Sequence, residues 1–185
     1  MFFYVAMVYF PNWLDQHGNV SIDAAMRVNT AALVAMLPVV LLAGWVSDRL
    51  PSRRILAGGT LGVICIAAWP AFGAALSGGL WVAGMVQFLL AGLLALLLGS
   101  APALFAEIFP ATNRNTGYSI SFALGMGIMG GATPMLATSL IKWTGAELAP
   151  ALMLVAGGLA GALAVWSMPE RTGAVLQARA RGVRA

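Results

Sequence analysis

Charge is what this sequence has least of. Asp, Glu, Lys and Arg make up 9% of its 185 residues while 61% are hydrophobic, against about 25% charged in an ordinary soluble domain. A soluble globular fold is excluded, and an integral membrane protein is expected. The chain has one cysteine, Cys65, and one histidine, His17. A disulfide framework and a cysteine metal site are therefore impossible within one chain, and six dispersed carboxylates with one His supply no zinc site. Catalysis fails on the same inventory, because an intramembrane serine nucleophile needs a base beside it and His17 lies far along the chain from the serines of the apolar runs. No catalytic residue, metal or cofactor is expected. The net charge of +4 does not point to nucleic acid, since the basic residues sit in short segments beside apolar runs and build no basic face. Nor does the start read as a cleavable leader: apolar and aromatic residues follow Met1 directly, so targeting is expected from a span itself.

What is present is apolar length. A hydrocarbon core of about 30 Å takes roughly 20 helical residues, and the sequence offers six runs, at 1–14, 24–47, 55–76, 80–105, 116–141 and 148–168. Residues 1–168 are thus expected to form an all-α membrane bundle, and 169–185 a basic tail. The first run reaches only about 20 Å and is short for a span. Asp23, before the second, is a plausible helix N-cap. Residues 15–23, 77–79 and 142–147 read as turns. Each run contains a proline (Pro11, Pro38, Pro70, Pro102, Pro134, Pro150) that would release a backbone carbonyl for other groups to satisfy. Gly127 with Gly131, and Gly157 with Gly161, have the spacing that lets helices approach closely.

If the spans alternate, Arg49, Arg53, Arg54, Arg114, Arg171, Arg179, Arg181 and Arg184 share one side, and Lys142 and Arg27 the other. The arginine-rich side is expected to be cytoplasmic, the tail with it.

Two loops carry a resemblance. The first, Gly44-x-x-x-Asp48-Arg49-x-x-x-Arg53-Arg54, resembles the loop signature of the major facilitator superfamily, which is usually one residue shorter with a glycine in place of Pro51-Ser52. The second has Glu107, Phe109, Pro110, Arg114, Thr116 and Gly117, followed by Gly130, Gly131 and Pro134. It is similar to the Glu-x-Phe-Pro-x-x-x-Arg-x-Thr-Gly loop and Gly-Gly-x-x-Pro span of the metabolite:proton symporters, the branch that carries proline/betaine, shikimate, 2-oxoglutarate and citrate.

The resemblance implies a six-span bundle equivalent to the second half of a twelve-span carrier, its first span truncated. It implies a secondary transporter fragment for a small organic acid or zwitterionic solute, coupled to protons in the intact protein. The implied partners are the lipid bilayer, the solute with its proton, and the missing N-terminal half; the implied location is a bacterial inner membrane. No acid stands mid-span, so a proton site is expected in the other half. The alternative is a self-assembling six-span protein, or a remnant that does not transport.

Polar groups inside spans are costly and therefore suspect as site residues. Tyr4, Asn12, Arg27, Asn29, Gln87, Ser121 and Phe122 are the candidates for solute contact, on runs that resemble cavity-lining spans. Each has a plainer reading. Arg27 lies about one turn inside a boundary and can snorkel or pair with a carboxylate. Asn29, about 200° around the helix from it, is not expected to face the same cavity. Tyr4 fits an aromatic belt, and Gln87 fits a bond to another helix. Gly44, Asp48, Arg49, Arg53, Arg54, Glu107 and Arg114 form the loop motifs. Glu107 with Arg114 and the arginines of the first loop reads either as a gate remade between states or as a static interfacial pair. The resemblance sets Asp48 against a helix start of the opposite half.

Overall fold

The computed structural model describes residues 1–106, 109 and 113–168, with the side chain of Arg114 outside that set. The described residues are helical almost throughout. A π-helical segment, Tyr4–Tyr9, runs straight into α1, Phe10–His17; α2 is Ile22–Arg49, α3 Arg53–Ser77 and α4 Gly79–Ala106. Next, α5 (Arg114–Leu124) passes through a second π-helical segment, Gly125–Gly130, into α6 (Thr133–Thr144), and α7 is Ala149–Ser167. Five helices are long and apolar enough to cross a membrane: Ile22–Arg49, Arg53–Ser77, Gly79–Ala106, Asn115–Thr144 and Ala149–Ser167. The first helix, residues 2–17, spans about 24 Å and falls short of a hydrocarbon core.

That helix continues three residues beyond the apolar run, because its last turns are anchored. Trp13 is fully buried against Phe10 and Phe72, with ring centroids 5.5 and 4.8 Å away. Its indole N–H donates to the Glu147 carbonyl at 2.8 Å. Gly18 then ends the helix, its N–H returning to Leu14 O at 2.8 Å. The expected cap at Asp23 is corrected here. α2 starts two residues earlier, at Ile22, with Ser21 in the extended N-cap position and Asp23 inside the first turn. The free N–H of Ile22 is taken by the Asp15 carboxylate at 2.9 Å, a cap delivered from the preceding helix.

At the other end of α2, the residue before Pro51 is pushed to extended geometry, and Leu50 has ψ 146°. Ser52 caps α3 by accepting from the Arg54 N–H at 3.3 Å. Gly145, at φ 68°, closes α6 with its N–H on Ile141 O at 2.8 Å, the left-handed stop that glycine adopts without strain.

α4 is the central rod, packed against α2 and α3; α7 covers the other side of α3, and the first helix lies in a cradle made by α2, α4 and α6. Gly99 sets the α2–α4 crossing. A Cβ there would stand 2.7 Å from Val40 O and 2.8 Å from Gly44 N, so the backbones meet where neither chain carries bulk. The two spaced glycine pairs part company. Gly161 receives Leu61 of α3, and Gly157 lies against Met1, whereas Gly127 and Gly131 face open space. The latter pair packs no helix of the described bundle. Prolines divide similarly: Pro38, Pro70 and Pro102 are interior to helices, while Pro150 stands in the first turn of α7, where no N–H is missed.

Exposed tryptophans mark both ends of the bundle. Trp45 and Trp166 stand at the end that carries the 50–52 turn, Trp81 and Trp143 at the opposite end, and all four are more than half exposed. Apolar side chains such as Leu41, Ile66, Met85 and Met135 are equally open between them. An exposed apolar band bounded by aromatic girdles is what a bilayer requires.

Candidate functional site

Three places collect the polar residues singled out from the sequence. The first is buried. Asn29 of α2 and Gln87 of α4 are 7% and 2% exposed. Gln87 Nε2 donates to Asn29 Oδ1 at 2.6 Å and to Ala6 O of the first helix at 3.1 Å. Asn29 Nδ2 donates to Met7 O at 3.0 Å. The two amides therefore join three helices at one point inside the bundle. Gln87 Oε1 is buried there with no hydrogen-bond partner.

The second place is a cavity of about 560 Å³ between the start of the first helix, α4 and α5. Ser121 and Phe122 line it with Tyr118, Pro102 and Phe105, and Tyr118 stacks on Phe122 at 5.6 Å. Its walls are mostly apolar, with the Tyr118 and Ser121 hydroxyls as polar handles. That is the ordinary make-up of a small-molecule pocket. A smaller hollow of about 250 Å³ adjoins it across Met1, Phe2 and Leu97.

The third is the basic turn. Arg53 Nη2 and Asp48 Oδ1 are 2.8 Å apart, and the Arg49 guanidinium lies over the Trp45 ring at 3.4 Å, with Nη1 on Trp45 O at 3.3 Å. Asp48 is thus engaged within its own loop. Its exposure, 64% of the side chain, leaves it open to a further partner. Glu107 and the side chain of Arg114 lie outside the described residues, as do residues 169–185.

The remaining candidates are not brought together. Arg27 is exposed on the outer face of α2, on the opposite side from buried Asn29. Asn12 is exposed, with its Nδ2 3.5 Å from Val8 O. Tyr4 is half-buried and lies on Gly130, where a Cβ would collide with its ring. Sequence reasoning missed the contact between the two π-helical segments that Tyr4 and Gly130 make. It also missed the clasp at the far end, where His17 Nδ1 sits 3.7 Å from Glu147 Oε1 beside the Trp13 bond. Gly130 in a Gly-Gly-x-x-Pro stretch was the one signal available for the first; nothing in the spacing announced the second.

This bundle, with its Gly-Asp-Arg turn between consecutive spans, matches the Major Facilitator Superfamily over residues 1–183. The chain belongs to that family. It is 29% identical over 167 residues to the citrate-proton symporter of Salmonella typhi, covering 86% of this chain and 37% of that protein. The citrate-proton symporter of Klebsiella pneumoniae is 27% identical over 185 residues, covering 95% and 39%. The ectoine/proline transporter of Corynebacterium glutamicum is 26% identical over 170 residues, covering 90% and 33%. The chain spans less than two-fifths of the length of these relatives. No solved structure matches it at a significant level. The likeness to metabolite:proton symporters stands, and these relatives bear transporter rather than enzyme names.

Proposed function

We propose that this chain forms the second six-span half of a secondary active carrier that moves a small organic acid or zwitterion together with a proton across a bacterial inner membrane. One observation carries the reading: the match to carriers of citrate and of ectoine and proline runs along nearly the whole chain. The open faces of the bundle support it. α2 and the Asn115–Thr144 span are its least buried helices, and they expose Arg27, Ser119 and Ser121, polar groups that are costly against lipid and fit a second bundle with solute between.

In this reading Tyr4, Asn12, Ser121 and Phe122 face the solute path. Arg27 meets its carboxylate or, failing that, the headgroup layer. The arginine-rich turn and the tail lie in the cytoplasm, where Glu107, Arg114 and Arg54 form a gate that breaks and reforms as two repeats rock about a midplane site. Cells expressing this chain joined to the first half of a citrate or proline carrier test it. Uptake of labelled citrate or proline should appear, and a protonophore should abolish it. Uptake that ignores the proton gradient would remove proton coupling from the proposal, and no uptake of either solute would remove the solute class.

A further inference from the structure

The buried amide pair answers a specific defect in the first helix. Pro11 has no N–H, so Met7 O loses its ordinary donor four residues on. Ala6 O loses its own as well. Its α-helical donor, Phe10 N–H, goes instead to Val5 O in the wider π pattern, and its π-pattern donor would again be Pro11. Two successive carbonyls thereby lose their α-helical donors on a stretch where Val5, Ala6 and Met7 are all buried. A buried unpaired carbonyl in lipid surroundings is strongly disfavoured. The two donors that reach them come from other helices: Gln87 Nε2 on Ala6 O at 3.1 Å and Asn29 Nδ2 on Met7 O at 3.0 Å. Asn29 Oδ1, in turn, accepts the second hydrogen of the Gln87 amide at 2.6 Å. Every donor of the pair that faces the first helix is used on it or on the other amide.

We propose that Asn29 and Gln87 are positioning residues that lock the first helix in its π-helical register, and not solute ligands. The lock fixes more than one helix. Tyr4, the first residue of the locked segment, presses on Gly130, the last residue of the second π-helical segment, with no room for a Cβ between them. The second segment is likewise followed by a proline, Pro134, and Thr133 Oγ1 donates to Met129 O at 2.6 Å. There the loosened turn is served by its own helix, whereas the first helix borrows from its neighbours. The lock follows from the fold alone and does not depend on which solute, if any, is carried.

A double-mutant cycle on the full 185-residue chain in detergent micelles separates this lock from ordinary polar packing. Asn29→Leu and Gln87→Leu should each lower the melting midpoint by roughly 2–4 °C. With Pro11→Ala, position 11 regains its N–H, the helix can return to α register, and the backbone donors of positions 10 and 11 can serve Ala6 O and Met7 O. In that background each Leu substitution should cost less than half as much. If a single Leu variant yields no folded protein, recovery of a monodisperse, cooperatively melting species on adding Pro11→Ala reads the same coupling. Equal losses in both backgrounds, or no recovery, would overturn the lock.

Discussion

Trp13 and Glu147 stand 134 positions apart in the chain, and the Trp13 indole N–H bonds the Glu147 carbonyl at 2.8 Å. This single bond ties the end of the first helix to the turn between α6 and α7, and it does so above an aromatic cluster of Phe10, Trp13 and Phe72. Trp13→Phe keeps most of the ring packing and removes the donor. It should cost about 1 kcal/mol, seen as a small drop in melting midpoint. Trp13→Ala also empties the cluster and should cost about 3–5 kcal/mol. An unchanged midpoint in Trp13→Phe would show that the bond is idle.

Gly130 and Gly131 are neighbours in sequence and opposites in space. Gly130→Ala puts a methyl into the Tyr4 ring, while Gly131→Ala points into open space. The first should destabilise by about 1–3 kcal/mol, and the second should leave the isolated bundle near neutral. Thermal melting of both variants in micelles checks this. A neutral Gly130→Ala would mean that the two π-helical segments do not touch as described.

Much of this architecture was legible from apolar length alone. The boundaries of α2, α3 and α4 fall within a few residues of the hydrophobic runs, because a helix crossing lipid must be both long and apolar. The details that failed to show depend on distant partners. Asp23 has the right chemistry for an N-cap, yet α2 begins at Ile22 because Asp15 reaches back from the first helix to that N–H. Asn29 and Gln87 were visible as costly polar groups, but no one-dimensional pattern says that each would meet a first-helix carbonyl that has lost its α-helical donor. The G-x-x-x-G spacing at Gly127 and Gly131 was equally visible and packs nothing in the described bundle, so spacing alone did not reveal which glycines are in contact.

The Asp48–Arg53 pair, at 2.8 Å but largely exposed on the Asp48 side, is worth about 0–1 kcal/mol as a surface ion pair. Asp48→Asn should therefore leave the melting of this chain almost unchanged. In a complete carrier the same substitution should shift the balance between inward- and outward-open states, read by state-dependent labelling of a cysteine near the gate. A large loss of stability in the isolated chain would make the pair structural.

Orientation has a direct check. With Cys65 replaced by Ala, single cysteines at Gln16 and at Pro51, both exposed, flank α2 at its two ends. An impermeant thiol reagent should reach Gln16→Cys from outside intact cells and Pro51→Cys only after the membrane is opened. Labelling of both from one side would contradict a membrane crossing by α2.

The central claim is that this bundle works as one half of a carrier, and reconstitution tests it most directly. Proteoliposomes holding the purified chain alone should show no proton-driven uptake of citrate or proline, since alternating access needs two bundles moving against each other around a shared site. Proteoliposomes holding the chain co-purified with a six-span first half should accumulate one of these solutes when the outside is acidified. Robust uptake by the chain alone would contradict the half-carrier account and establish a self-assembled transporter in its place.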